Sequence, residues 1–267
     1  MKRVLGLALI TMLLFSACSG PKEMNRIENQ KLSGPSNAAI PTNVPNFEEF
    51  VPAVAGTSVI SISAGGMHSM AIKEDHTLWA WGNNSFGQLG DDTTEGDHNG
   101  ANKSAPVQIM NDVIAVSAGW YHTTAIKSDG SLWAWGNNDK GQLGDGTTVS
   151  RPAPVKVMED VVSVSARNTH TLAIKKDGTL WAWGNNKECL LGDNTNENRL
   201  TPVKIMDNVV SVSAGRDYTM AIKKDGRFWI WGDDGYLQVA SKEYVFSEGP
   251  LGGAEQHTPI EYPQFDE

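Results

Sequence analysis

Short runs in which apolar residues alternate with small or polar ones recur through most of the chain. Val209-Val210-Ser211-Val212-Ser213 is one such run, and His170-Thr171-Leu172-Ala173-Ile174 is another. A period of two places successive side chains on opposite faces of a strand. Lys176-Asp177-Gly178 follows the second run. Asp-Gly tolerates the positive φ of a tight hairpin, so a turn is expected there. Leu180-Trp181-Ala182-Trp183 predicts a third strand. Pro202-Val203-Lys204-Ile205-Met206 predicts a fourth, with proline at its start, where no ladder donor is lost. No segment sustains helical periodicity. The pattern predicts an all-β protein.

The four-strand unit occurs four times. The first tryptophan of each W-x-W pair falls at Trp79, Trp133, Trp181 and Trp229, in steps of 54, 48 and 48 residues. A period near 50 marks stacked repeats or propeller blades. Four-stranded antiparallel sheets repeated about an axis form a β-propeller. The repeats are expected over residues 57–263, at about 57–112, 113–160, 161–208 and 209–263, with a tail at 264–267. Residues i and i+2 share a strand face, so both tryptophans of a pair point the same way. Their recurrence at one register fits blade-to-blade packing better than a carbohydrate-stacking platform.

The motifs [VI]-S-A-G-x-x-H-[ST], A-I-K-x-D-G and L-W-A-W-G-N-N-x-x-G-Q-L-G together resemble the repeat of the regulator of chromosome condensation family. The resemblance covers roughly Thr57 to Pro263 and implies a β-propeller, commonly of seven blades. Several positions depart from it. Arg167 stands where the other units have glycine, Tyr218 where they have histidine, and Cys189 where two of them have glycine. Leu237-Gln238-Val239-Ala240 replaces G-Q-L-G in the last unit. His257-Thr258-Pro259-Ile260-Glu261 resembles the earlier fourth strands and is expected to finish that unit. Four blades are expected either to close as a small ring or to be completed by a second copy.

The N-terminus reads as an address. Lys2 and Arg3 precede the apolar run Val4 to Phe15, which is too short for a membrane span. Phe15-Ser16-Ala17-Cys18 resembles a bacterial lipobox. The resemblance implies a signal peptide over residues 1–17, lipid on Cys18, and an extracytoplasmic location in the cell envelope. Residues 18–56 contain Gly20-Pro21, Ser33-Gly34-Pro35-Ser36, Pro41 and Pro45, the composition of a flexible tether. The formal net charge is -9, and removing Lys2 and Arg3 makes it about -11. That balance argues against a nucleic-acid partner.

Three clusters are candidates for chemistry. His68, His122 and His170 recur at one register, and each is expected to hydrogen-bond within its own blade rather than hold a metal. Blade one carries an insertion whose acids Asp91, Asp92, Glu95 and Asp97 are weak calcium candidates, without the ordered spacing of a calcium loop. The third cluster is a set of loop tips between the first two strands of each unit. They are Gly66-Met67, Trp120-Tyr121, Asn168-Thr169 and Arg216-Asp217. A constant scaffold with changing tips is the arrangement of a binding surface. Trp120, Tyr121, Asn168, Arg216 and Asp217 are the partner-binding candidates, since aromatic and arginine anchors dominate protein interfaces. No cofactor is expected, and no nucleophile, zinc or phosphate-loop motif is present. The expected role is an interaction module for a protein or a cell-wall polymer. An envelope hydrolase or lyase with a site on the propeller axis is the alternative, and nucleotide exchange a distant third.

Overall fold

Each repeat becomes one four-stranded antiparallel sheet with its strands in chain order. The computed structural model describes residues 58–94, 102–233 and 255–261. The segments expected to be a signal peptide, a lipid site at Cys18, a tether and a tail lie outside these residues. Blade one holds β1 (Val59–Ala64), β2 (His68–Lys73), β3 (Leu78–Gly82) and β4 (Lys103–Met110). Blade two holds β5 (Val113–Ala118), β6 (His122–Lys127), β7 (Leu132–Gly136) and β8 (Arg151–Met158). Blade three holds β9 (Val161–Arg167), β10 (His170–Lys175), β11 (Leu180–Gly184) and β12 (Arg199–Met206). Blade four holds β13 (Val209–Ala214), β14 (Tyr218–Lys223), β15 (Phe228–Asp233) and β16 (Glu255–Glu261).

Local chemistry sets the turns. Gly178 adopts φ 84°, and its N–H donates to Lys175 O at 2.8 Å. Asp177 accepts from the Thr179 N–H at 2.9 Å and from its hydroxyl at 2.7 Å. The Thr179 hydroxyl in turn accepts the Trp181 indole N–H at 2.9 Å. The hairpin thereby fixes the rotamer of the first tryptophan of its own blade. β12 begins at Arg199, earlier than the proline suggested. Arg199 pairs with Gly184, and the register shifts between Ala182 and Gly184, which accommodates Pro202.

Three hydrophobic seams join successive blades. Met70, Ile72, Leu78 and Leu89 of blade one pack on Val113, Ala118 and Trp135 of blade two. Ile126 and Leu132 of blade two meet Val161 and Trp183 of blade three. Leu172, Ile174 and Leu180 of blade three meet Val209, Ala214 and Trp231 of blade four. The second tryptophan of the pair in blades two, three and four is therefore a knob in the preceding blade, and Trp135, Trp183 and Trp231 are fully buried. Burying roughly 200 Å² of indole at about 25 cal/mol per Å² is worth about 5 kcal/mol.

Each knob is also hydrogen-bonded across its seam. The indole N–H groups of Trp135, Trp183 and Trp231 donate to the carbonyls of Gln88, Gln142 and Leu190 at 3.0, 3.0 and 2.9 Å. The hydroxyls of Thr123, Thr171 and Thr219 donate to the same three carbonyls at 2.8 Å each. Gly90, Gly144 and Gly192 permit the close approach. A Cβ on any of them would lie 2.6 or 2.7 Å from the indole nitrogen of the next blade.

Candidate functional site

The antiparallel order puts the loops after the first and third strands of every blade at one end. In each of the first three blades the loop tip hydrogen-bonds the start of the N-N turn. Asn83, Asn137 and Asn185 donate their N–H groups to the carbonyls of Met67, Tyr121 and Thr169 at 2.9, 2.8 and 2.9 Å. The backbone of the second residue is thus tied to its own blade in these three pairs. The first residue of each pair faces its neighbours instead.

Those first residues enclose a cavity of about 160 Å³ to which all four blades contribute. Gly66, Trp120, Asn168 and Arg216 line it, with Arg167 beside them. Trp120 lies across Gly66, where a Cβ would sit 2.7 Å from the indole Cδ1. The glycine of blade one is thereby the seat for the tryptophan of blade two. Trp120 nevertheless remains 43% exposed, unlike the buried knobs. Its N–H donates to the Asn168 carbonyl at 3.3 Å. Asn168 holds that carbonyl in place with φ 42°, a conformation asparagine tolerates better than most residues.

The aromatic surface extends beyond the expected residues. Tyr121 packs on Phe86 of blade one with ring centroids 5.0 Å apart, and on Trp120 at 6.2 Å. Phe86 is exposed. The sequence reading passed over Phe86, although a signal was present. It occupies the variable part of N-N-x-x-G-Q-L-G, where blades two and three carry Lys140 and Glu188. Arg167 and Arg216 are both exposed at the cavity rim. Arg216 approaches Asp217 at 3.4 Å on a largely exposed side chain. Two guanidiniums therefore face a cavity lined by Trp120 on a chain of net charge -9.

The histidines sit beneath this surface and act across the seams, not within their own blades as expected. His68 Nε2 lies 2.8 Å from the Thr123 hydroxyl, and His122 Nε2 lies 3.0 Å from that of Thr171. Both threonines belong to the following blade. Gly65 and Gly119 make room for the rings, since a Cβ would fall 2.4 Å from His68 Cε1 and 2.3 Å from His122 Cε1. In blade three Arg167 replaces that glycine, and neither ring nitrogen of His170 has a partner. Burial lowers His68 to about 4. It lowers His122 to about 3, with repulsion from the His170 and His68 rings adding to the effect. Burial lowers His170 to about 4. All three are neutral near pH 7 and sealed from a ligand in the cavity.

The acidic candidates divide. Glu95 and Asp97 lie outside the described residues. Asp92 adopts φ 61°, and its N–H donates to Pro152 O at 3.1 Å. Asp91 belongs to a repeated lock. Its carboxylate accepts the Asn84 amide at 2.9 Å and pairs with Lys103 at 3.1 Å. Asp145 does the same with Asn138 and Arg151, and Asp193 with Asn186 and Arg199. Partial burial raises the Asp91 carboxyl, but bonds from Thr93, Lys103 and Asn84 outweigh it and leave the pKa lowered. Asp145 and Asp193 follow the same balance. The side-chain carbonyls of Asn84, Asn138 and Asn186 accept the N–H groups of Leu89, Leu143 and Leu191, which fixes each G-Q-L-G or C-L-L-G turn. Among the described residues, no three or more His, Cys, Asp or Glu gather in a metal-holding group.

Known proteins share this architecture. The ultraviolet-B receptor UVR8 of Arabidopsis thaliana is 37% identical over 98 residues, 35% of this chain and 21% of the receptor. Yeast RCC1 (Prp20) bound to Kap60 matches with a TM-score of 0.66 and 26% identity, over 78% of this chain and 50% of that one. Prp20p from Saccharomyces cerevisiae, whose structure was reported with its binding to Gsp1p and histones, matches with a TM-score of 0.63. That match has 22% identity over 80% of this chain and 52% of the solved one. This chain spans about half the length of those solved relatives. The family model for the RCC1-like domain matches residues 28–264, reaching into the segment read as a tether. With most of its length inside that match and every described strand inside a four-stranded blade, the chain belongs to the RCC1-like domain family.

Proposed function

We propose that the chain is an interaction module whose loop face binds a segment of another protein. One observation carries the reading: Trp120 stands exposed over Gly66 at a cavity built by all four blades. The seams consume the tryptophans at the repeat register, whereas Trp120, Tyr121 and Phe86 lie at loop positions that change from blade to blade. Invariant seams with variable tips favour recognition. Arg167 and Arg216 at the rim suit a partner segment that carries a carboxylate, because opposite charges steer and orient an encounter. Yeast RCC1 offers a precedent, since a solved structure holds it bound to Kap60.

The module acts at the extracytoplasmic side of a bacterial membrane, held by lipid on Cys18 and spaced from the bilayer by residues 18–56. The lipobox-like Phe15-Ser16-Ala17-Cys18 and the proline- and glycine-bearing spacer support this placement. A strongly acidic domain stands off an anionic bilayer, which suits a partner in the envelope. Catalysis on the axis is the weaker reading. The histidines it would use are buried, two of them against threonines, and the repeated aspartates are engaged in loop locks.

Affinity capture from envelope extract with the wild-type chain and with Trp120→Ala tests the reading. A protein recovered by the wild type and lost, by about tenfold or more, with Trp120→Ala is the expected result. Equal recovery of every partner by both chains overturns it. Recovery of a cell-wall polymer in place of a protein also overturns it.

A further inference from the structure

Every seam has two sides, and the described residues carry one further example of each outside the three seams. The side that receives is Met70, Ile72 and Leu78 in blade one, and blade four repeats it as Met220, Ile222 and Phe228. The side that inserts is Val113, Ala118 and Trp135 in blade two, and blade one repeats it as Val59, Ala64 and Trp81. Each repeat carries apolar residues that stay exposed where their counterparts are buried. Val59 is 55% exposed where Val113 is 0%, and Ile222 is 41% exposed where Ile72 is 0%. Ile62, on the strand beside Ala64, is 72% exposed. No core cluster joins blade four to blade one among the described residues.

The polar contacts of the seam are also present in halves. Ser63, Ser117 and Ser165 accept the N–H groups of Ala118, Ala166 and Ala214 in the following blade, at 3.0, 2.9 and 3.0 Å. Ser213 is the fourth acceptor of that series, and the Ala64 N–H is the matching donor. Both residues are exposed. At the histidine-threonine position of the seam the two ends carry Tyr218 and Ser69. A longer donor thus stands opposite a shorter acceptor.

We propose that the two end faces form a fourth seam between two copies of this chain. Blade four of one protomer packs on blade one of its partner, and a two-fold axis repeats the contact on the other side. Such a pair is closed, so it buries both end faces of both chains and leaves none to propagate. It contains eight blades, within the range of about four to eight that propellers adopt. The occupant of each end face is a second copy because each face is already the complement of the other. The residues, their register and their serine-to-amide bond are those of the three internal seams. An apolar strand face this exposed is otherwise a site for unwanted association. The four-fold ring within one chain does not form, because Val59, Ile62 and Ile222 remain open.

Sedimentation velocity on the full-length chain carrying Cys18→Ser, over a dilution series in detergent-free buffer, tests the pairing. Twice the mass of one chain is expected, with dissociation on dilution. Ile62→Glu and, separately, Ile222→Glu should each weaken association by about 100-fold or more, because each buries an unpaired charge in the seam. Both positions are exposed in one chain, so circular dichroism should show the β-structure unchanged. Ala64→Cys combined with Ser213→Cys should give a covalent dimer under mild oxidation. A monomer at every concentration, an unlimited ladder of larger species, or an intramolecular crosslink between positions 64 and 213 overturns the proposal. So does a dimer that Ile62→Glu leaves intact.

Discussion

Trp81 and Trp135 occupy the same place in nearly the same motif, yet they differ in what surrounds them. Trp135 is fully buried in the preceding blade and donates to the Gln88 carbonyl. No blade precedes Trp81 among the described residues, and it is half-buried. Blade one and blade two thus have equivalent strands but unequal stability, because a propeller residue gains most of its energy from the next sheet. This is the nearest-neighbour arithmetic of repeat proteins, in which an interface term adds to each unit's intrinsic term.

The comparison breaks most visibly at the tryptophans. Trp135→Ala should cost about 3–5 kcal/mol in urea unfolding, since it removes a buried indole and leaves a seam carbonyl with one donor fewer. Trp81→Ala should cost about half of that or less when measured in the monomeric Ile62→Glu background. Equal costs would show that the seam does not set the energy of this position.

A smaller effect comes from pH. His68, His122 and His170 have pKa values lowered to about 4, 3 and 4 in the folded chain, against 6.5 as the ordinary value. Between those limits the unfolded state binds more protons, so stability is full above pH 6.5 and falls as pH drops toward 4. His122→Gln keeps a side chain able to hydrogen-bond and removes one titrating group. It should lower the proton uptake on unfolding by about one in this window, read from the pH dependence of the urea midpoint. An unchanged slope would place His122 in water. Blade four carries Tyr218 at this position in place of a histidine.

The smallest effect lies at Arg227. In blades one to three a threonine or serine accepts the first tryptophan's N–H, as Thr77 does for Trp79 at 2.8 Å. Arg227 stands there in blade four, and the Trp229 N–H has no partner. Arg227→Thr should stabilise by about 1 kcal/mol or less. The gain of one hydrogen bond is offset by loss of the exposed pairs with Asp225 and Glu261. Thermal unfolding at two salt concentrations separates the two contributions.

Most of the fold was legible because its signals are local. Alternation fixed the strands, Asp177-Gly178 the turn, and the recurrence of W-x-W the packing register. The seams themselves were harder to read. Their common acceptor is a backbone carbonyl, supplied equally by Gln88, Gln142 and Leu190, so side-chain identity hides it. The histidine contacts were placed in the wrong blade because a bond to a residue about 50 positions away has no local signature. Asp91 looked like part of an acidic insertion, whereas its register matches Asp145 and Asp193. At the loop face the sequence indicated Trp120 and Tyr121, but Phe86 becomes a neighbour of Tyr121 only when blade one packs on blade two.

The variable loop face, and not the opposite ends of the blades, is the surface proposed to meet the partner. A photo-crosslinking amino acid placed at position 120 in living cells, with position 128 on the opposite side as control, tests it directly. Ser128 is exposed in the hairpin after β6, so it samples the other end of the same blade. A discrete protein adduct is expected from position 120 and none from position 128. The same adducts from both positions, or none from position 120, would contradict it.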